Sequence, residues 1–158
     1  MNPPLRIALI GVGNMGQQHY QHLKTLAEAS LCAVADPGPQ AQAIAGQWQV
    51  PHFSDHRTLL KDARPDAVIV ANPNNLHVST ALNCLAAGIP VLLEKPVGVH
   101  LDEVRELVAA SRTNGVPVLV GHHRRHNPLI ARAHELVHGG ALGRLTTVTA
   151  LWQLHKPE

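Results

Sequence analysis

Leu5-Arg6-Ile7-Ala8-Leu9-Ile10-Gly11-Val12-Gly13-Asn14-Met15-Gly16 decides how the rest of the chain is read. An apolar run of strand length passes straight into closely spaced glycines, and a helix-like stretch follows. The segment therefore predicts a strand, a glycine turn and a helix start. The unpaired N–H groups of a helix start, together with the positive end of its dipole, suit a doubly anionic pyrophosphate. In G-x-G-x-x-G the three glycines have separate tasks. Gly11 supplies the tight turn, Gly13 removes the Cβ that would block the pyrophosphate, and Gly16 lets the first helix pack closely on the strand. A second apolar run, Leu31-Cys32-Ala33-Val34-Ala35, ends in Asp36. That is about 20 residues beyond Gly16, where dinucleotide folds place the acid that binds the adenosine ribose. Strand, glycines, helix and acid in this order predict dinucleotide binding.

Composition narrows the remaining classes. With 158 residues and 45% hydrophobic content the chain can build one core. A net charge of +2 and 3% aromatic residues give neither a basic surface nor a stacking platform, which argues against a nucleic-acid partner. Cys32 and Cys84 each lie inside an apolar segment and form no C-x-x-C, so they read as buried thiols of a reducing compartment. Met1-Asn2-Pro3-Pro4 lacks a signal peptide's apolar stretch, and no run approaches the roughly 18 apolar residues of a membrane span. A soluble, cytoplasmic protein is expected.

Strand patterns near 5–10, 31–36, 67–71, 90–93 and 117–121 alternate with helical patterns near 15–28, 39–47, 76–87, 101–113 and 128–138, and a very short strand is expected at His52-Phe53. Near-continuous apolar runs such as Ala67-Val68-Ile69-Val70-Ala71 suit a parallel sheet covered on both faces. The expected fold class is α/β, a Rossmann-type doubly wound parallel sheet. The tail breaks the alternation, because Leu145 to Trp152 reads as a β-branched strand. A lone strand needs a sheet to join. It extends an edge of the first sheet, pairs with another subunit, or opens a second domain, so the expected division is 1–143 and 144–158.

Four motifs stand in a distinctive order: Gly11 to Gly16, Asn72-Pro73-Asn74-Asn75-Leu76-His77, Glu94-Lys95-Pro96, and Gly121-His122-His123-Arg124-Arg125-His126-Asn127-Pro128. Together they resemble the Gfo/Idh/MocA oxidoreductase family, over essentially the whole chain. The resemblance implies a dehydrogenase that uses NAD, less favourably NADP, on a sugar, polyol or related small hydroxy compound. It also implies two domains, a dinucleotide-binding one followed by a larger α/β domain with an open antiparallel sheet. On that expectation Leu145 to Trp152 is the first strand of the second domain, the family's catalytic aspartate and histidine lie beyond Glu158, and the chain is the cofactor half of an enzyme. A homo-oligomer is expected with it.

Individual residues then take roles. Gly11, Gly13, Asn14, Met15 and Gly16 surround the phosphates. Asp36 accepts from the ribose 2′-OH and repels a 2′-phosphate, and Pro37-Gly38-Pro39 offers no arginine to neutralise one, which favours NAD. More plainly, Asp36 ends a strand and starts a turn. Asn72 leaves the sheet at a strand's carboxyl end, where open α/β sheets bind ligands, and the resemblance assigns Pro73, Asn74 and His77 to cofactor-side contacts. The same stretch reads as an Asn/Pro turn with Asn74 or Asn75 capping the next helix. Lys95 is the candidate for the chemical step. A lysine takes the proton of an alcohol when partial burial and a neighbouring nicotinamide cation favour its neutral amine, or it simply hydrogen-bonds the reacting oxygen. Read without the resemblance, Lys95 is a solvated strand end. Glu94 orients Lys95 or contacts the nicotinamide ribose, and Pro96 restricts Lys95 to extended backbone. Arg124 or Arg125 meets the substrate or a further domain, with Arg125 placed at the cofactor edge, while Asn127 caps a helix that Pro128 begins.

His134-Glu135-Leu136-Val137-His138 matches H-E-x-x-H, the pattern of a zinc hydrolase. Against it, Gly139-Gly140 ends the helix at once, and Ala141 and Arg144 stand where the metzincin extension requires glycine and histidine. Only His155 and Glu158 offer a further ligand, and no metal site is predicted. With 12 histidines in the chain, pairs such as His19/His22 and His134/His138 are expected by chance. The other alternative is a non-catalytic NAD-binding module.

Overall fold

Six short strands, β1 (Leu5–Ile10), β2 (Ala29–Ala35), β3 (His52–Phe53), β4 (Ala67–Val70), β5 (Val91–Leu93) and β6 (Val118–Val120), pair side by side in the order β3-β2-β1-β4-β5-β6. Every pairing is parallel. The computed structural model describes residues 3–151 and 153. It divides into two units, one running to Gly121 and the other from His122 onward.

Five helices connect the strands of the first unit: α1 (Asn14–Leu23), α2 (Ala41–Trp48), α3 (His56–Ala63), α4 (His77–Ala86) and α5 (Leu101–Asn114). The period-two alternation of the strands sorts their side chains between two cores. Ala8, Ile10, Val68, Val70, Val91 and Leu93 pack with Leu59 and Leu60 of α3, Val78, Ala81 and Leu85 of α4, and Leu107 of α5. Ile7, Leu9, Val34 and Ile69 pack on the opposite face with Leu23 of α1 and with Ala41 and Ala45 of α2. Both faces are covered, as a doubly wound sheet requires. The strand order reverses between β1 and β4, which opens a crevice at their carboxyl ends.

Some boundaries differ from the sequence expectation. Helix α1 stops at Leu23 instead of reaching 28, because the chain tightens there: the Thr25 amide and hydroxyl both donate to the His22 carbonyl, at 3.0 and 2.7 Å. Helix α3 was not anticipated. Asp55 caps it by accepting from the Thr58 amide at 3.0 Å, and Leu59 and Leu60 bury its inner face. No strand forms over 145–151, where the alternating run finds no partner edge among the described residues, and Trp152 lies outside them. Both cysteines are free; Cys84 is buried, which pushes its thiol up to about 12, whereas Cys32 is only half-buried. Among the described residues no helix is long and apolar enough to cross a membrane.

The second unit holds a 3-10 turn, His123–His126, and helix α6 (Pro128–His138). Asn127 caps α6 as expected, accepting from the Leu129 amide at 2.8 Å, with Pro128 in the first turn.

Candidate functional site

The glycine turn has the three-way geometry that its spacing suggests. Gly11 has φ +95°, and a Cβ there would lie 2.6 Å from the backbone of Ala71 and Asn72, so neither the conformation nor the space admits a side chain. A Cβ on Gly16 would collide with the Gly11 carbonyl, which fixes how closely α1 approaches β1. Gly13 differs: nothing lies within 4 Å of where its Cβ would be. It stands at the N-cap of α1, and no side chain caps that helix. The first N–H groups of a helix have no intrahelical acceptor, which leaves those of Asn14, Met15 and Gly16 without one, and Asn14 and Met15 line the cleft at Gly13.

Asp36 closes the turn from the tip of β2. Its Oδ2 accepts from the Val12 amide at 2.9 Å and its Oδ1 from the Gly38 amide at 2.7 Å. Each carboxylate oxygen keeps a further lone pair for a ligand hydroxyl. Two adjoining clefts share Gly11, Asp36, Asn72 and Pro73. One, of about 380 Å³, also reaches Gly13, Asn14 and Met15. The other, of about 440 Å³, extends to Ser54, His56, Leu76 and Thr80. Asn72 donates from Nδ2 to the Thr80 hydroxyl at 2.9 Å, while its buried Oδ1 has no protein partner. A diphosphate with a nucleoside fits these features: open space at Gly13, unpaired amides, a carboxylate beside them and an orphan acceptor.

At the end of β5 the pattern continues. Glu94 is 6% exposed and Lys95 is exposed, so the partial burial expected of Lys95 is not found. His19 of α1 donates from Nε2 to Glu94 Oε1 at 2.9 Å, and the Lys95 amide donates to Glu94 Oε2 at 3.2 Å. The Lys95–Pro96 peptide is cis. His77, expected on the cofactor side, is 1% exposed. Its Nδ1 faces the Pro96 carbonyl at 2.6 Å and its Nε2 faces the Asn72 carbonyl at 2.9 Å, so the ring has no free nitrogen for a nucleotide.

Pro73 and Asn74 are exposed; Pro73 lines both clefts, and Asn74 begins a 3-10 turn. Neither Asn74 nor Asn75 caps α4, whose N-cap is Leu76. Arg125 lies on the 3-10 turn of the second unit. His134 and His138 place their rings 4.0 Å apart, Glu135 pairs with Arg132 at 3.0 Å, and among the described residues no three His, Cys, Asp or Glu side chains gather to hold a metal. His155 and Glu158 lie outside the described residues. Sequence reasoning missed Ser54, His56 and Thr80. His56 accepts from Asn83 Nδ2 at 2.9 Å, and burial lowers its pKa. The signal for Ser54 and His56 was the Asp55 cap, which places both at the mouth of β3.

Comparison with known proteins follows the same outline. The family model described as an oxidoreductase family with an NAD-binding Rossmann fold, Gfo/Idh/MocA, matches residues 5–122. The rhizopine catabolism protein MocA of Rhizobium meliloti is 29% identical over 144 residues, covering 91% of this chain and 45% of that protein. Inositol 2-dehydrogenase 2 of Saccharopolyspora erythraea is 36% identical over 144 residues, covering 89% of this chain and 42% of that protein. The crystal structure of scyllo-inositol dehydrogenase from Lactobacillus casei with bound NAD(H) and scyllo-inositol shares the fold at a TM-score of 0.82 and 24% identity, covering 89% of this chain and 42% of that one. The chain thus spans less than half the length of these relatives.

Proposed function

The chain belongs to the Gfo/Idh/MocA oxidoreductase family, and we propose that it is the cofactor half of an NAD-dependent dehydrogenase acting on a sugar, polyol or related small hydroxy compound. One observation carries this reading: the space beside Gly13 is open, and the Asp36 carboxylate stands next to it. On this reading the first amides of α1 hold the pyrophosphate, and Asp36 accepts from the adenosine ribose while keeping the Val12 and Gly38 amides. A 2′-phosphate would meet that carboxylate, which favours NAD over NADP. The orphan Asn72 Oδ1 accepts from the nucleotide. Pro73 and Asn74 line the rim, and the Glu94-Lys95-Pro96 turn borders the nicotinamide end.

Bound there, NAD⁺ would supply the hydride acceptor for oxidation of an alcohol at its carbinol carbon. Lys95 takes the hydroxyl proton on Nζ, or steadies the reacting oxygen by a hydrogen bond. Relatives named as inositol dehydrogenases support the polyol class. The two free thiols suit the cytoplasm, and a homo-oligomer is the assembly that goes with this reading. Turnover assays with a panel of polyols and sugars, on this chain and on a version joined to a substrate domain, test the proposal. Activity in the joined form that is lost in Lys95→Met supports it. NADH binding without turnover in either form favours the non-catalytic module.

A further inference from the structure

Two histidines from separate helices grip the turn that carries Lys95. His19, in the second turn of α1, donates to the Glu94 carboxylate at 2.9 Å, and the other oxygen of that carboxylate holds the Lys95 amide at 3.2 Å. Gly121, just past β6, lies on the far side of this carboxylate: a Cβ there would lie 3.0 Å from Glu94 Oε1, so a side chain at 121 would crowd the carboxylate out of its place. His77, at the start of α4, spans the Pro96 and Asn72 carbonyls at 2.6 and 2.9 Å. The residues on either side of Lys95 are therefore tied to α1 and to α4, while Lys95 itself is exposed. An exposed lysine side chain samples many rotamers, so what a fold can fix is the backbone from which it departs.

We propose that His19 and His77 are positioning residues for Lys95, making the phosphate-binding helix and the Lys95 turn one mechanical piece. The inference rests on the reading of Lys95 as the group that meets the substrate. Imidazole suits both places. At position 19 it supplies an N–H to a carboxylate that would otherwise be buried with one partner. At position 77 the ring packs between the Pro96 and Asn72 carbonyls, and the single N–H of the neutral ring donates to one of them while the other nitrogen stays in contact with the second. A glutamine amide, with two N–H groups on one nitrogen, is the nearest substitute there.

The test is amide hydrogen exchange on the 158-residue chain, read at Lys95 and, for reference, at Leu9 and Val70 in the sheet. His19→Ala is expected to speed exchange at Lys95 about tenfold or more, through loss of the hold on its acceptor, and to leave Leu9 and Val70 unchanged. His77→Leu is expected to do the same, and His77→Gln to restore most of the protection. Should His77→Leu fail to fold, His19→Ala and Glu94→Gln still give the answer at the same amide. Unchanged exchange at Lys95 in His19→Ala overturns the proposal, and so does an equal acceleration at all three amides, which marks a merely structural role. The catalytic reading fails separately, if Lys95→Met keeps turnover in the joined enzyme, and that outcome leaves the exchange result untouched.

Discussion

Gly13 and Gly16 stand three residues apart in one motif, yet substitution should affect them in opposite ways. A side chain at Gly13 enters open space, so Gly13→Val should keep stability within about 1 kcal/mol of wild type while abolishing NADH binding. A Cβ at Gly16 strikes the Gly11 carbonyl, so Gly16→Ala should cost about 1–3 kcal/mol through overpacking. Thermal melts paired with NADH titrations separate the two outcomes, and equal losses of stability would contradict the geometry. On the proposed reading Asp36→Ala removes the acceptor for a ribose hydroxyl, and NADH affinity should fall about 10- to 100-fold, with the preference over NADPH reduced. Titrating both nucleotides checks it. The geometry of the glycine turn was legible in the sequence because the motif is local: strand, turn and helix fix one another within a dozen residues. The tie between His19 and Glu94 was not, since its partners are 75 positions apart and nothing near His19 announces the carboxylate. His77 was misplaced for a related reason, because a histidine beside a crevice looks like a ligand contact until the carbonyls on both sides of its ring are seen.

Among the elements, α3 shows what apolar periodicity leaves out. It is eight residues long and buries only Leu59 and Leu60, too few to stand out as a helical stripe. Its start depends on Asp55, whose carboxyl is held below its usual value chiefly by the Thr58 amide. Asp55→Ala should therefore cost about 1 kcal/mol in chemical denaturation, the ordinary worth of an N-cap. The neighbouring His56 carries a pH dependence. Burial lowers its pKa below the ordinary 6.5, and the hydrogen bond from Asn83 needs an unprotonated Nε2. The folded state thus prefers the neutral ring, so this contribution to stability is complete above pH 6.5 and is lost as pH falls through the lower, folded value. Melting temperature should drop more steeply between about pH 7 and pH 5 in wild type than in His56→Gln. Parallel curves for the two proteins would contradict this. The apolar strands were readable because each buries a continuous run, as Ala8 to Ile10 and Val68 to Val70 do. The run over 145–151 carries strand-like residues without a strand, since pairing depends on an edge that the sequence itself cannot supply.

At the scale of the molecule, the first unit contains both clefts, and the matched family domain, residues 5–122, ends one residue past it. The order β3-β2-β1-β4-β5-β6 gathers Gly11, Asp36, Asn72 and Glu94 at the carboxyl ends of four strands, though they are scattered over the first 94 positions of the chain. Topology therefore builds the crevice, and the residues at its rim give it a chemical preference. The central claim is that this crevice holds the adenosine diphosphate part of a nicotinamide dinucleotide. Calorimetric titration of the chain with NADH, repeated in the presence of ADP-ribose, tests it most directly. Saturable binding of one NADH per chain is expected, with ADP-ribose competing for the same site. No saturable heat from either nucleotide, with the chain folded, would contradict it.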